Sequence, residues 1–238
     1  MQNDLDMAFE ALKTYDWGTD RNPLKPIDEA VIAVHGNADA RKALEPRLAP
    51  VLKTGVSRDA KDFICRKLMV IGTAESVPTL AGLLPEKDHS HMARYALERI
   101  PAPEAAQALR DALPKLSGAL KVGAIGSLGV RRDAASVPAL AALLGDVDAA
   151  VACAAACALG DIGNAEAAKP LGDSATKAPE GVKPAVADAC LACAEQLLAD
   201  GKKADALAIY KSLSGEDQPK HVRLAATRGM LTAAGKKD

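Results

Sequence analysis

Four of the five cysteines form two pairs whose spacing could support metal chemistry. Cys153 and Cys157 are one helical turn apart, and Cys190 and Cys193 form a Cys-x-x-Cys pair further along the chain. Thiolates from two neighbouring helices could together bind zinc tetrahedrally. Both pairs lie inside apolar helical segments, however, where no neighbouring cation activates a thiol and where cysteine often serves as a small core residue. We therefore expect core packing, with no metal site, and the isolated Cys65 does not change this expectation.

A second group of side chains combines cations, imidazole rings and a phenol: Arg66, His89, His91, Arg94 and Tyr95. His89 and His91 are two residues apart, so on a helix they point to different sides and make a poor pair of metal ligands. Tyr95 follows His91 by one turn and could hydrogen-bond to it. For His89, a solvated position at the start of a helix is the simpler interpretation.

Catalysis finds little support in the sequence. The printed chain contains no Gly-rich phosphate loop, no Gly-x-Ser-x-Gly motif and no His-Glu-x-x-His motif. The carboxylates are scattered over segments where charged side chains normally face solvent. We expect a protein that is not an enzyme and that uses no cofactor.

The segments that carry these residues repeat along the chain. Four short stretches that we interpret as outer helices recur roughly every 30 residues, at VPTL (77–80), AQAL (106–109), VPAL (137–140) and AKPL (168–171). The preceding inner helices are predicted to end in step with them, at Gly72, Pro101, Gly129 and Gly163. Such a period predicts a solenoid, because each helix pair is too small to bury its own apolar face.

The third repeat is longer than the others between its inner and outer helices. The simplest insertion is Val130-Arg131-Arg132. Insertions in repeat proteins map to loops on one edge of the stack. We therefore expect Arg131 and Arg132 to project as a local basic ridge.

The two ends of the chain depart from the repeat. Residues 1–56 are expected to form an atypical N-terminal cap, with Trp17 in its core and with Pro46 and Pro50 kinking a helix over 38–53. The repeats proper occupy residues 57–176. Residues 177–238 continue as helices that resemble tetratricopeptide helices. In total we expect about seven helical pairs in a single domain, 1–238.

Composition agrees with an all-α chain and limits its partners. Hydrophobic residues make up 49% of the sequence and aromatic residues 3%, a balance that suits closely packed helices better than a sheet. The formal net charge is -1, with 30 basic and 31 acidic residues, so general nucleic-acid binding is not expected. No apolar run is long enough to predict a membrane span. The N-terminal residues lack the pattern of a signal peptide.

Aligning the inner helices by their last apolar residue predicts a shared binding face. One column contains Asp62, His91, Ala119 and Cys153, and the next contains Arg66, Tyr95, Gly123 and Cys157. In the last of these helices Leu159 belongs to the buried stripe, and Cys157 lies on the opposite side. We expect the columns to line the concave face and to bind a protein or peptide. The residues proposed for partner binding are Arg66, His91, Arg94, Tyr95, Cys153 and Cys157. The alternative is that the small residues in these columns merely permit tight curvature of the helix stack.

Two segments, AAACALGDIG (154–163) and SVPALAALL (136–144), resemble HEAT repeats of the short bacterial type. The resemblance covers roughly residues 57–176 and implies an all-α, right-handed α–α superhelix of the HEAT or armadillo kind. Three further segments are similar to HEAT segments of planctomycete and verrucomicrobial proteins, many of which are exported: 63–84, 90–113 and 120–133. The resemblance implies a scaffold or recognition segment. It also implies an exported or periplasmic protein, whereas without the resemblance the sequence would indicate a cytoplasmic one.

The sequence therefore predicts a non-enzymatic scaffold that mediates protein association through its concave face. The alternative is an accessory segment that helps a carbohydrate-processing enzyme or an exported complex to recognise its target. A groove with an exposed Tyr95 and several polar groups favours the alternative, whereas an apolar groove favours the first interpretation. The oligomeric state, the partner and the compartment are left open by the sequence.

Overall fold

A computed structural model of the chain describes residues 2–216 and 218–235. Within these ranges every regular element is a helix and no strand occurs, which confirms the all-α prediction. The chain divides into two compact units, residues 1–116 and residues 117–238. Both units consist of paired helices of the α–α solenoid type. The single-domain boundaries proposed from the sequence stay a prediction.

The described residues of the first unit contain seven α-helices. They are α1 (Gln2–Leu12), α2 (Lys25–Ala33), α3 (Ala38–Leu48), α4 (Arg58–Ile71), α5 (Val77–Gly82), α6 (Ser90–Arg99) and α7 (Pro103–Ala112). Short 3-10 helices lie between them at Asn22–Leu24, Ala49–Lys53, Ala74–Ser76 and Leu113–Lys115. The inner helices α4 and α6 pack side by side, and so do the outer helices α5 and α7.

The α4–α6 contact is built from apolar stripes at helical spacing. On α4 the stripe includes Ile64 and Leu68, and on α6 it includes Ala93 and Leu97, all of which are fully buried. Ser57 begins α4 as its N-cap, since its hydroxyl oxygen accepts a hydrogen bond from the Ala60 N–H at 3.0 Å. The serine cap and the apolar stripe together fix which side of α4 faces solvent.

A buried carboxylate on α3 fixes the turn that follows α4. Glu45 is 2% exposed. Its Oε1 accepts hydrogen bonds from the Thr73 N–H at 2.7 Å, from Thr73 Oγ1 at 3.1 Å and from Ser76 Oγ at 2.5 Å. Because an unpaired buried carboxylate is costly, this set of donors holds α3 and the 73–76 turn in one arrangement.

The described residues of the second unit also contain seven α-helices, so that the helix count matches the seven predicted pairs. They are α8 (Gly118–Val130), α9 (Val137–Leu143), α10 (Ala149–Ile162), α11 (Ala165–Ala175), α12 (Lys183–Ala199), α13 (Lys203–Ser212) and α14 (Lys220–Ala233). A 3-10 helix at Ala134–Ser136 precedes α9. The inner helices pack in the order α8, α10 and α12, and the outer helices α9 and α11 contact each other.

Glycines let the inner helices of the second unit approach closely. A Cβ placed on Gly129 of α8 would lie 2.9 Å from the Cα of Ala158 on α10. In the next contact, a Cβ on Gly160 of α10 would lie 2.9 Å from the carbonyl oxygen of Ala189 on α12. Real Cβ atoms essentially never come this close to a backbone atom, so both positions require glycine at the observed helix separation.

The prediction that Trp17 belongs to the core is wrong. Its side chain is 87% exposed. The turn after α1 points it outward: Thr19 Oγ1 donates to the Asp16 carbonyl at 2.6 Å, and Gly18 follows Trp17 with φ 77°. Tyr15 takes the inward position instead, with its ring centroid 6.3 Å from that of Phe63.

The kinked helix predicted over residues 38–53 is divided into two elements. Pro46 lies inside α3, which continues to Leu48, and the chain then forms the 3-10 helix Ala49–Lys53 with Pro50 in its first turn. Since neither proline has an N–H to give to the carbonyl one turn earlier, two α-helical hydrogen bonds are lost within one turn. The α-helical ladder ends there.

The inserted arginines project only in part. Arg131 is half-buried, whereas Arg132 is exposed and has φ 51°, a left-handed conformation that turns the chain back. The Arg132 guanidinium donates to the Ile162 carbonyl at 3.3 Å. The insertion therefore packs against the end of α10, because the carbonyls of a helix C-terminus attract cations.

Candidate functional site

Helices α4 and α6 present four polar side chains on one exposed surface, called the α4–α6 face from here on. It consists of Asp62 and Arg66 on α4 and of His91 and Tyr95 on α6. On each helix the two residues are four apart, so they stack along the same side. The sequence prediction that Arg66, His91 and Tyr95 come together is consistent with this geometry.

The α4–α6 face encloses a shallow cavity of about 280 Å³. Cys65 and Met92 complete its lining, beside the four residues of the face. Asp62 Oδ2 accepts a hydrogen bond from Arg66 Nε at 2.7 Å, and this bond, more than any other influence, raises the pKa of the guanidinium. One carboxylate thus neutralises one cation on α4, and both side chains are held in place.

The cysteine at the base of the cavity is inert at neutral pH. Burial is the main cause that raises the pKa of the Cys65 thiol to about 12, and the nearby Asp62 carboxylate raises it further. A thiol needs to ionise to act as a nucleophile or metal ligand. Cys65 therefore contributes volume and no chemistry to this site.

Tyr95 is the exposed aromatic group of the face, with 41% of its surface accessible. The His91 ring lies 6.3 Å from it between centroids, tilted by 32°. The Arg99 guanidinium carbon stands 6.0 Å from the Tyr95 centroid, over the ring. Arg99 was not among the residues predicted for this site, although its position one turn after Tyr95 was a usable signal.

Arg94 lies beside the α4–α6 face and does not line its cavity. It is half-buried, and its Nη2 lies 3.3 Å from His91 Nδ1. Burial lowers the pKa of its guanidinium, and the charge of Glu98 acts in the opposite direction. Being one residue before Tyr95, Arg94 points about 100° away from it around α6.

His89 is separate from the face. It precedes α6, and its Nδ1 lies 2.6 Å from Glu86 Oε2. His89 lies at the start of a helix, as expected, but its side chain is only 19% exposed, so the position is solvated in part. The contact with the Glu86 carboxylate explains how an imidazole is accommodated there.

In the second unit, Cys153 and Cys157 lie on the accessible side of α10. Cys157 is exposed and Cys153 is half-buried, while Leu159 is fully buried, which confirms the predicted register of this helix. Partial burial, then Asp161, then Cys153 and Asp188 raise the pKa of the Cys157 thiol. This pair places two small side chains on the accessible side of α10.

The other cysteine pair is part of the core of α12. Cys190 and Cys193 are buried, and burial raises the pKa of these thiols to about 12 and about 11. Cys193 donates a weak hydrogen bond from Sγ to the Asn164 carbonyl at 3.7 Å. Within the described residues, no group of three or more His, Cys, Asp or Glu side chains is placed to hold a metal ion.

The six residues proposed for binding are thus divided between the two units. Arg66, His91, Arg94 and Tyr95 belong to the first unit, and Cys153 and Cys157 to the second. A continuous concave column across all inner helices stays a prediction. No helix in the described part of the chain is long and apolar enough to cross a membrane.

Comparison with protein families gives one match, to HEAT repeats over residues 112–192. This match supports a HEAT-repeat protein, as the sequence predicted for this part of the chain. No curated protein matches the sequence.

Several solved structures are similar to the chain at low sequence identity. One engineered protein is 18% identical with a TM-score of 0.42, covering 89% of this chain and 97% of its own. A second engineered protein is 20% identical with a TM-score of 0.45, covering 99% of this chain and 69% of its own. Human deoxyhypusine hydroxylase in complex with glycerol is 16% identical with a TM-score of 0.39, covering 99% of this chain and 97% of its own.

Proposed function

We propose that the chain is a non-enzymatic scaffold that binds a protein or peptide partner through its inner helices, with the α4–α6 face as the main contact surface. The observation that carries the proposal is the exposed Tyr95, which lines one cavity together with Arg66 and has the Arg99 guanidinium over its ring. Tyrosine and arginine are the residue types that concentrate binding energy at protein interfaces. HEAT repeats are suited to such a role because stacked helix pairs present extended surfaces.

The geometry also gives the expected manner of contact. Arg66 is held by Asp62 and Tyr95 is flanked by His91, so little side-chain entropy remains to be lost on binding. Arg94 would support His91 from the side. Cys153 and Cys157 would provide a contact of their own on α10, where small side chains leave room for a partner. The suggestion of export rests on the family resemblance alone and belongs to the same proposal.

A second candidate is favoured by the polarity of the α4–α6 face. An exposed tyrosine beside an Asp62–Arg66 pair is an arrangement that could also bind a sugar ring, as an accessory segment of a carbohydrate-processing enzyme would. Stacking a sugar requires an open aromatic face, however, and the Arg99 guanidinium stands over the Tyr95 ring. For this reason we place protein binding first.

The test compares two double variants of the whole chain. Tyr95→Ala with Arg66→Ala removes the exposed anchor and one cation of the α4–α6 face. Trp17→Ala with Lys53→Ala, which are both exposed and outside this face, is the matched control. We expect the first variant to weaken binding of a co-purified native partner at least tenfold, about 1.4 kcal/mol, and the control to leave it unchanged.

Two outcomes contradict the proposal. Equal binding by the face variant and the control would place the contact elsewhere on the chain. Calorimetric binding of a neutral oligosaccharide that is lost in the Tyr95→Ala, Arg66→Ala variant would favour the carbohydrate-recognition candidate. In both experiments, unchanged thermal unfolding of the variants shows that the fold is intact.

A further inference from the structure

An apolar groove lies between the first three helices, α1, α2 and α3. None of its lining residues belongs to the α4–α6 face. This α1–α3 groove has a volume of about 570 Å³, within the range of functional binding clefts. Its apolar lining includes Leu5, Ala30, Val34, Ala43 and Leu44. Small side chains dominate, so the groove has room for large apolar groups from outside.

Charge at the groove is acidic. Asp4 of α1 and Glu29 of α2 line the groove, and α1 contains no basic residue. Arg47 is the cation at this site, and it is engaged with Asp6 at 2.6 Å and with the Phe9 ring at 4.4 Å. An occupant of this groove should therefore be apolar at its centre and basic at its edges.

The last helix of the chain has this complementary character. Leu224 and Leu231 of α14 are 61% and 41% exposed. They are seven residues apart, so they stand on the same side of the helix, roughly 10 Å from each other along its axis. Helix α14 carries Lys220, Arg223 and Arg228 and contains no acidic residue.

We propose that α14 of one copy of this chain docks into the α1–α3 groove of a second copy. Leu224 and Leu231 would enter the groove, and the basic side chains of α14 would face the acidic α1. The two surfaces are different, so one contact between two copies leaves one groove and one helix of the pair free. The chain should therefore associate with itself head to tail, independently of whether the α4–α6 face binds a partner.

The first measurement is the mass of the 238-residue chain in solution by light scattering. Over protein concentrations from about 1 μM to about 1 mM, we expect the mean mass to rise above the 24.6 kDa of one copy. Raising the ionic strength should reduce the association, because the charges involved are exposed. A mass of one copy throughout this range overturns the proposal.

Two blocked variants then test which surfaces are used. Ala43→Arg fills the groove and adds a charge that repels α14, and Leu224→Glu with Leu231→Glu removes the docking side chains. All three positions are exposed or half-exposed on helices, so the fold should tolerate them. Each variant alone should weaken association at least tenfold. Val147→Glu, at a fully exposed apolar residue outside both surfaces, should associate as the unmodified chain does.

Mixing the two blocked variants is the decisive step. The Ala43→Arg chain keeps a functional α14, and the double glutamate chain keeps a functional groove, so together they form one contact. We expect a one-to-one complex that grows no larger, whereas a symmetric interface would give no rescue. Failure of the mixture to associate, or association of either variant alone at the original strength, overturns the proposal. If the groove instead binds a basic helix of another protein, the purified chain alone would have the mass of one copy.

Discussion

The α4–α6 contact and the α10–α12 contact are built on the same repeat but from side chains of different size. In the first, Ile64, Leu68 and Leu97 form the fully buried apolar stripes of the two helices. In the second, Gly160 lies directly against the backbone of Ala189. A cavity lies on the exposed side of α4 and α6, whereas glycine and alanine bring the backbones of α10 and α12 together. Residue size inside the stack thus sets how closely neighbouring helices can approach.

The largest expected effect comes from placing a charge inside the small-residue stack. Leu159→Asp buries an unpaired carboxylate in α10, and it should lower the free energy of unfolding by about 3–5 kcal/mol. Cys157→Ser, two residues away on the accessible side, should change it by less than about 0.5 kcal/mol. Urea denaturation of both variants checks the contrast. Similar losses in the two would mean that the register of α10 is wrong.

A smaller effect is expected where a side chain is added to the glycine contact. Gly160→Val places two methyl groups against the Ala189 backbone and should destabilise the chain by about 1–3 kcal/mol. Gly126→Ala is the matched control in α8, because a Cβ there meets no atom within 4 Å. That control should stabilise the chain by up to about 1 kcal/mol through helix propensity. The same sign of effect for both glycines would show that helix packing is looser than described.

Alkaline pH should lower the free energy of unfolding through the buried thiols of both units. Burial raises the pKa of Cys65 and Cys190 to about 12, from an ordinary value of 9.0. Between these two pH values the folded chain holds protons that the unfolded chain has released. The contribution of each buried thiol to the free energy of unfolding is therefore full below pH 9.0, and it falls as pH rises toward 12. Each thiol should contribute a slope of up to about 1.4 kcal/mol per pH unit. Denaturation of Cys65→Ala and of the unmodified chain at several pH values should give a shallower slope for the variant, and parallel slopes would argue against this burial.

The smallest effect on stability is expected at the α4–α6 face itself. Tyr95→Ala should change the free energy of unfolding by less than about 0.5 kcal/mol, because the ring is exposed and packs mainly on other exposed side chains. Thermal unfolding measures this directly. A loss of more than about 2 kcal/mol would identify Tyr95 as a core residue and would remove the basis for a binding face there.

The repeat was predictable because helix ends and apolar spacing carry a strong local signal. Gly72 and Gly163 directly follow the last residue of α4 and of α10, and α8 ends at Val130, one residue beyond Gly129. The stripe that contains Leu159 and the outward position of Cys157 follow from helix geometry alone. All of this information is contained within one or two turns of sequence.

Features that depend on distant contacts were not predictable in the same way. An isolated tryptophan is usually assigned to a core, and only the turn at Asp16 and Thr19 places Trp17 outside. Arg132 reaches the Ile162 carbonyl, which is 30 residues away in sequence. Likewise, the sequence pattern put Arg94 with Tyr95, although the half-buried Arg94 lies outside the cavity lining. Neighbours in sequence on a helix are not neighbours on its surface.

The four glycines of α8, Gly118, Gly123, Gly126 and Gly129, have a consequence for the order in which the second unit folds. Each glycine costs about 0.8–1 kcal/mol of helix propensity relative to alanine, so the isolated α8 segment is a weak helix. It gains its structure by docking on α10, through the contact of Gly129 with Ala158. Helix α8 should therefore form after the α10–α12 pair and open before it. Its amides are the ones we expect to exchange with deuterium through local opening while those of α10 are still protected.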